Sequence, residues 1–123
     1  MSIHPTAVID PSSVIAANVE IGPWCMIGPN VTIESGSRLG SHIVVQKNTT
    51  IGENNTIHPY ASIGGDPQTK GYVGHETTLV IGSHNVIHEF CTINRGDIDG
   101  AGVTRIGDHN LLMTGVHVAH DCI

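Results

Sequence analysis

The chain is short of almost everything a globular core is normally built from. Its 123 residues include one Phe, one Trp and two Tyr, so large aromatic side chains cannot supply most of the packing. Lys and Arg together number five against eleven acidic residues, a net charge of −6. A nucleic-acid or anionic-membrane surface needs a basic stripe, and none is present. No apolar run reaches the ~18 to 20 residues of a membrane span. The opening MSIHPTAVIDPSS has neither the basic region nor the apolar run of a secretory signal. Three cysteines, Cys25, Cys91 and Cys122, are odd in number and lack zinc-type spacing. They fit a reducing compartment, and cytoplasm is the expected location. A chain of this length makes one domain at most, here spanning 1–123.

What is plentiful is Ile, Val and Gly, and the order in which they come. Every sixth residue from Ile3 reads Ile3, Ile9, Ile15, Ile21, Ile27, Ile33, Leu39, Val45, Ile51, Ile57 and Ile63. Glycine follows many of these, as at Gly22, Gly28, Gly40 and Gly52. Two residues ahead of each aliphatic stands a residue that is usually small, with Ile43 and Asn55 as exceptions. A period of six does not fit one face of an α-helix; it fits short strands joined by turns. Three hexads then make a triangular coil of about 18 residues, and stacked coils bury each aliphatic on its neighbours. The expected role of the nearby Gly or Asn is the tight or left-handed backbone of a corner. The fold class predicted is all-β, a parallel β-helix of hexapeptide repeats.

The rhythm breaks twice, at about 65–79 (GDPQTKGYVGHETTL) and 95–104 (RGDIDGAGVT). It resumes at Ile81, Ile87 and Ile93, and then out of phase at Ile106, Leu112 and Val118. Insertions into a solenoid commonly build its binding face.

Hexads with loops at these two places, then NRG at 94–96, GAGVTRIG at 100–107 and DHNLLMTGVHVAHDC at 108–122, resemble the N-terminal half of the UDP-N-acetylglucosamine O-acyltransferases. The resemblance runs through the whole chain. It implies a left-handed β-helix, an exception to the usual right-handed crossover. It also implies a homotrimer with active sites between neighbouring prisms, and transfer of a 3-hydroxyacyl chain from acyl-carrier protein to the 3-hydroxyl of UDP-N-acetylglucosamine, the first step of lipid A synthesis. By the same resemblance His120 is the general base, Asp121 its supporting partner, and His117 a lining residue. No cofactor or metal is implied, because the thioester is already activated.

The residue chemistry agrees. A sugar hydroxyl is a poor nucleophile at neutral pH, and an imidazole can take its proton as the thioester is attacked. A neighbouring carboxylate orients the ring and stabilises the imidazolium. With Val118 inward, His117 and His120 fall on outward or corner positions. A competing reading is a metal held between subunits by His117 with His120, or His84 with His88, as in γ-class carbonic anhydrases, whose His-x4-His spacing this chain lacks. His4, His42, His58, His75 and His109 read as surface residues.

The match departs from the family in the first loop. The family's sugar-contacting pattern is Gln-Asp-x-Lys-Tyr, where this chain has Gln68-Thr69-Lys70-Gly71-Tyr72. Gln68, Thr69, Lys70 and Tyr72 are the candidate sugar contacts, with a related nucleotide sugar, including a 3-amino analogue, as the alternative acceptor. The family also implies further coils and a helical C-terminal domain beyond Ile123. The expectation is therefore a truncated chain, inactive alone, whose open coil end leaves backbone groups unpaired. The rival reading is a trimeric β-helix module that binds a sugar, or serves structurally, without turnover.

Overall fold

A computed structural model describes residues 2–74, 76–98 and 100–123. Its strands are short, and they follow the hexads. The first six are β1 (Ser2–Ile3), β2 (Val8–Ile9), β3 (Val14–Ile15), β4 (Glu20–Ile21), β5 (Met26–Ile27) and β6 (Val31–Ile33). Then come β7 (Arg38–Leu39), β8 (Val44–Val45), β9 (Thr49–Ile51), β10 (Thr56–Ile57), β11 (Ser62–Gly65) and β12 (Thr78–Ile81). The last are β13 (Val86–Ile87), β14 (Thr92–Asn94), β15 (Val103–Ile106), β16 (Leu111–Leu112) and β17 (His117–Val118). Each strand carries one member of the aliphatic series.

The strands stack into three parallel sheets, β1-β4-β7-β10-β13-β16, β2-β5-β8-β11-β14-β17 and β3-β6-β9-β12-β15. The chain is thus a left-handed parallel β-helix. Register is aliphatic on aliphatic: Ile3 faces Ile21, Ile33 faces Ile51, and Ile63 faces Ile93. Ile51, Ile63, Ile87 and Ile93 are fully buried, each contributing ~1.5–3 kcal/mol before conformational entropy is subtracted. Ile3, Ile9 and Ile15 in the first coil and Ile106 and Val118 in the last are only half-buried, because a terminal coil has a neighbour on one side.

The row two residues ahead of each aliphatic is also inward, and this explains its exceptions. Ile43 is fully buried. Asn55 is buried as one rung of a polar ladder: its amide N–H donates to Ser37 Oγ (3.1 Å) and its Nδ2 to the Gly82 carbonyl (2.8 Å). Its Oδ1 accepts from the Asn85 amide, and Asn85 Oδ1 accepts in turn from the Asn110 amide. A buried amide is tolerated when its bonds are made.

The hexad glycines serve a different purpose from the one expected. Gly22, Gly28, Gly40 and Gly52 do not have positive φ; they let coils approach. A Cβ on Gly28 would stand 1.6 Å from the Gln46 carbonyl oxygen. From Ile21 onward, wherever no insertion intervenes, the left-handed corner lies three residues past the aliphatic: Trp24, Asn30, Gly36, His42, Asn48, Asn54, Tyr60, His84, Phe90, His109, Gly115 and Asp121 all have φ between 51° and 80°.

Both insertions are shorter than the broken pattern implied, because strands extend into them. Gly65 ends β11, while Thr78 and Leu79 open β12 and pair with β15 and β9; Val103 and Thr104 belong to β15. Leu79 and Thr104 occupy the inward row and are fully buried. His75, expected at the surface, lies outside the described residues. Among the described residues no helix is long and apolar enough to cross a membrane.

Candidate active site

The two loops and the VHVAHD motif come from one edge of the prism. Corners that follow β2, β5, β8, β11, β14 and β17 stack in a single column. Asn30 and Asn48 are its plain corners, the two insertions open where the next corners would be, and Asp121 is the corner after β17. The repeat alone therefore brings the roots of both insertions and residues 120–121 together.

Asp121 is the hub. Its amide N–H donates to Thr104 Oγ1 (2.8 Å). Its carboxylate accepts from the amides of Asp97 (3.0 Å) and Gly102 (3.1 Å). The same carboxylate lies 2.8 Å from His120 Nδ1. Burial pushes this carboxyl up. The His120 hydrogen bond outweighs that, with the Asp97 amide, the His120 charge and the Gly102 amide, and holds it below the ordinary value. An ionised Asp121 fixes the His120 tautomer: Nδ1–H donates to the carboxylate, leaving the Nε2 lone pair free as an acceptor. The His120 side chain is 34% exposed, so a substrate can reach it. Gly96 lies under this hub, where a Cβ would meet the Val103 amide nitrogen at 2.2 Å.

A second set of bonds ties the first loop to the second. Arg95 is fully buried in a chain otherwise built on aliphatics. Its guanidinium donates to the Gly64 carbonyl, to Asp66 Oδ1 (each 2.5 Å) and to Tyr72 Oη (2.9 Å). Asp97, also buried, accepts from Thr69 Oγ1 at 3.0 Å. Thr69, Asp97, Asp121 and His120 thus form one continuous chain of hydrogen bonds.

The expected site residues separate into two groups. Thr69 and Tyr72 are anchors: the Thr69 hydroxyl proton is committed to Asp97, and the Tyr72 oxygen accepts from Arg95. Gln68 and Lys70 are exposed on the same loop. His117 is exposed on β17, bonded through Nδ1 to Thr92 Oγ1 at 2.7 Å; it does not share the Asp121 hub. Within the chain, His84 and His88 each stack on a different histidine: His84 on His109, and His88 on His58.

Arg95, Asp97 and Thr104 were not singled out from the sequence. A signal for the first two was present: two charges at the root of an insertion, just after the in-phase Ile93.

Comparison with known proteins gives a consistent picture. Residues 1–35 match the family described as bacterial transferase hexapeptide (six repeats). The acyl-(acyl-carrier-protein)–UDP-N-acetylglucosamine O-acyltransferase of Thiobacillus denitrificans is 62% identical over 122 residues, 99% of this chain and 47% of the relative. Among solved structures, the Moraxella catarrhalis UDP-N-acetylglucosamine O-acyltransferase superposes with a TM-score of 0.98 at 52% identity, covering 99% of this chain and 48% of that one. The Acinetobacter baumannii enzyme gives 0.97 at 54%, covering 98% and 47%. The chain spans about half the length of the relatives it matches.

Proposed function

We propose that this chain, which matches UDP-N-acetylglucosamine O-acyltransferases in sequence and fold along nearly its whole length, supplies the catalytic base of an acyl transfer carried out by the complete protein. The donor is a 3-hydroxyacyl thioester of acyl-carrier protein and the acceptor the 3-hydroxyl of UDP-N-acetylglucosamine, a step of lipid A synthesis. The observation that carries the reading is the His120–Asp121 pair at 2.8 Å, set where both loops emerge.

In this mechanism His120 Nε2 takes the proton of the sugar hydroxyl as its oxygen attacks the thioester carbon. A carbon–oxygen bond forms, the carbon–sulfur bond breaks, and the proton passes from the imidazolium to the departing thiolate. Asp121 keeps the ring oriented and balances its transient charge. Gln68 and Lys70, exposed on the first loop, are the groups left to hold the nucleotide sugar, while Thr69 and Tyr72 hold the loop. Thr69 takes the place of the aspartate in the Gln-Asp-x-Lys-Tyr pattern that the resemblance implies, and its proton is already spent on Asp97. That difference favours testing a 3-amino acceptor alongside the hydroxyl one.

The complete protein is expected to be a homotrimer in the cytoplasm, where acyl-carrier protein is found. Trp24, Met26, Tyr60, Phe90 and Met113 are all more than half exposed, an apolar stripe of the kind that assembly covers. The test is to incubate the complete protein with 3-hydroxyacyl-carrier protein and either nucleotide sugar, then weigh the products. An acylated sugar with release of free carrier thiol supports the reading, and the preferred sugar names the acceptor. No product from either sugar would leave a binding module in its place.

A further inference from the structure

Away from the loop corner, two pairs of histidines stack between neighbouring coils. His58 and His88 lie with ring centroids 4.4 Å apart and planes within 2°. His84 and His109 lie 4.9 Å apart and within 4°. Stacking follows from register alone, since residues one coil apart stand about 4.8 Å from each other. The pairs differ in what surrounds them. Beside the first, the Glu89 carboxylate turns back so that Oε1 lies 3.3 Å from His88 Nδ1. One ligand atom each from His58, His88 and Glu89 lies within 4.8 Å of the others, and all three residues are half-buried. Among the described residues no other such group of three forms.

We infer that His58, His88 and Glu89 form a binding site for a divalent transition-metal ion, with zinc as the reference case. Two imidazoles and a carboxylate are a donor set that zinc accepts, with water at the fourth position. Donors around a tetrahedral zinc stand roughly 3.3 Å apart, given metal–ligand lengths near 2.0–2.1 Å. The His88–Glu89 separation already meets that; the His58 nitrogen, within 4.8 Å of the other two donors, reaches the same shell by rotation of its ring. This asks for side-chain rotation and no change in the coils.

The site lies away from the His120 hub, and its role is structural. His58 and His88 follow β10 and β13, which pair directly although 30 residues separate Ile57 from Ile87. Between them lies the 66–77 loop. A metal there would staple the coils on either side of the insertion that presents Gln68 and Lys70. It would close from one corner what Arg95 closes from the other.

The stacked pair without a carboxylate is the internal control. Zinc and cobalt(II) titrations of the complete, untagged protein would be followed by calorimetry and by the visible absorption of cobalt. One ion per chain is expected. His88→Ala should weaken it by more than the roughly 10- to 100-fold that outer-shell partners cost, and Glu89→Gln should weaken it measurably. A His84→Ala, His109→Ala double variant should bind as the parent does. Circular dichroism would verify that each variant stays folded. Absence of binding by the parent, or equal loss in the control variant, would overturn the assignment.

Discussion

The coils up to Ile63 and the part of the chain beyond it share one repeat and stay folded by different means. In the first part, among the described residues, everything buried is aliphatic, small or neutral, and no charged side chain is enclosed. In the second, Arg95 and Asp97 are buried, and Asp121 gathers two backbone amides and an imidazole. The repeat is regular where it only has to be stable. Where it is interrupted, the backbone groups released by the missing strands need partners, and buried charges supply them. One of these charged groups, Asp121, also orients His120. The chemistry thus sits where the periodicity fails.

Substitutions can sharpen that contrast. Outside His120 itself, the largest effect is expected at Asp121. Asp121→Ala should cut turnover by about 10²-fold or more and lower the melting temperature, because the 95–102 loop loses its tether. The acid limb should report the same group. With its folded-state value below the ordinary one, ionised Asp121 stabilises the fold. That contribution is complete above the ordinary carboxylate value of about 3.9 and is lost as pH falls through the depressed one. Acid melting curves of parent and variant should therefore converge at low pH.

Next in size is Ile51→Ala, in the regular part. It should cost about 2–5 kcal/mol in chemical denaturation while kcat per folded molecule stays unchanged. Arg95→Met, in the interrupted part, should behave oppositely. Its partner Asp66 is more than half exposed and can rehydrate, so stability should fall by only about 1–3 kcal/mol. The first loop would lose its main anchor, and KM for the nucleotide sugar should rise. Thr69→Val is the smallest: about 0.5–1.5 kcal/mol from one hydrogen bond, with a KM effect below that of Arg95→Met.

Most of this fold was legible in the spacing of Ile, Leu and Val, because one aliphatic per strand is all that a coil needs to set its register. The His120–Asp121 pair was legible as a motif, and Asp121 could also have been found by counting three residues past Val118 to a corner. Side-chain bonds between distant loops were not legible. Nothing in QTKGY says that Thr69 turns inward to Asp97, or that Tyr72 meets Arg95, since those contacts depend on how two irregular loops close over each other. The left-handed corners fell to Asn30, Asn48 and Asn54 rather than to the hexad glycines, whose close approach is invisible without the neighbouring coil. The stacks of His58 on His88 and His84 on His109 were not legible either, His58 and His109 reading as surface residues and His84 and His88 as a candidate metal pair, because each stacking partner lies a coil away.

The account rests on His120 as the base. The most direct test is kcat/KM of a His120→Ala variant of the complete protein, with acyl-carrier-protein thioester and nucleotide sugar, alongside its melting temperature. A loss of ~10² to 10⁴ with little change in melting is the predicted result. Turnover close to that of the parent would contradict it.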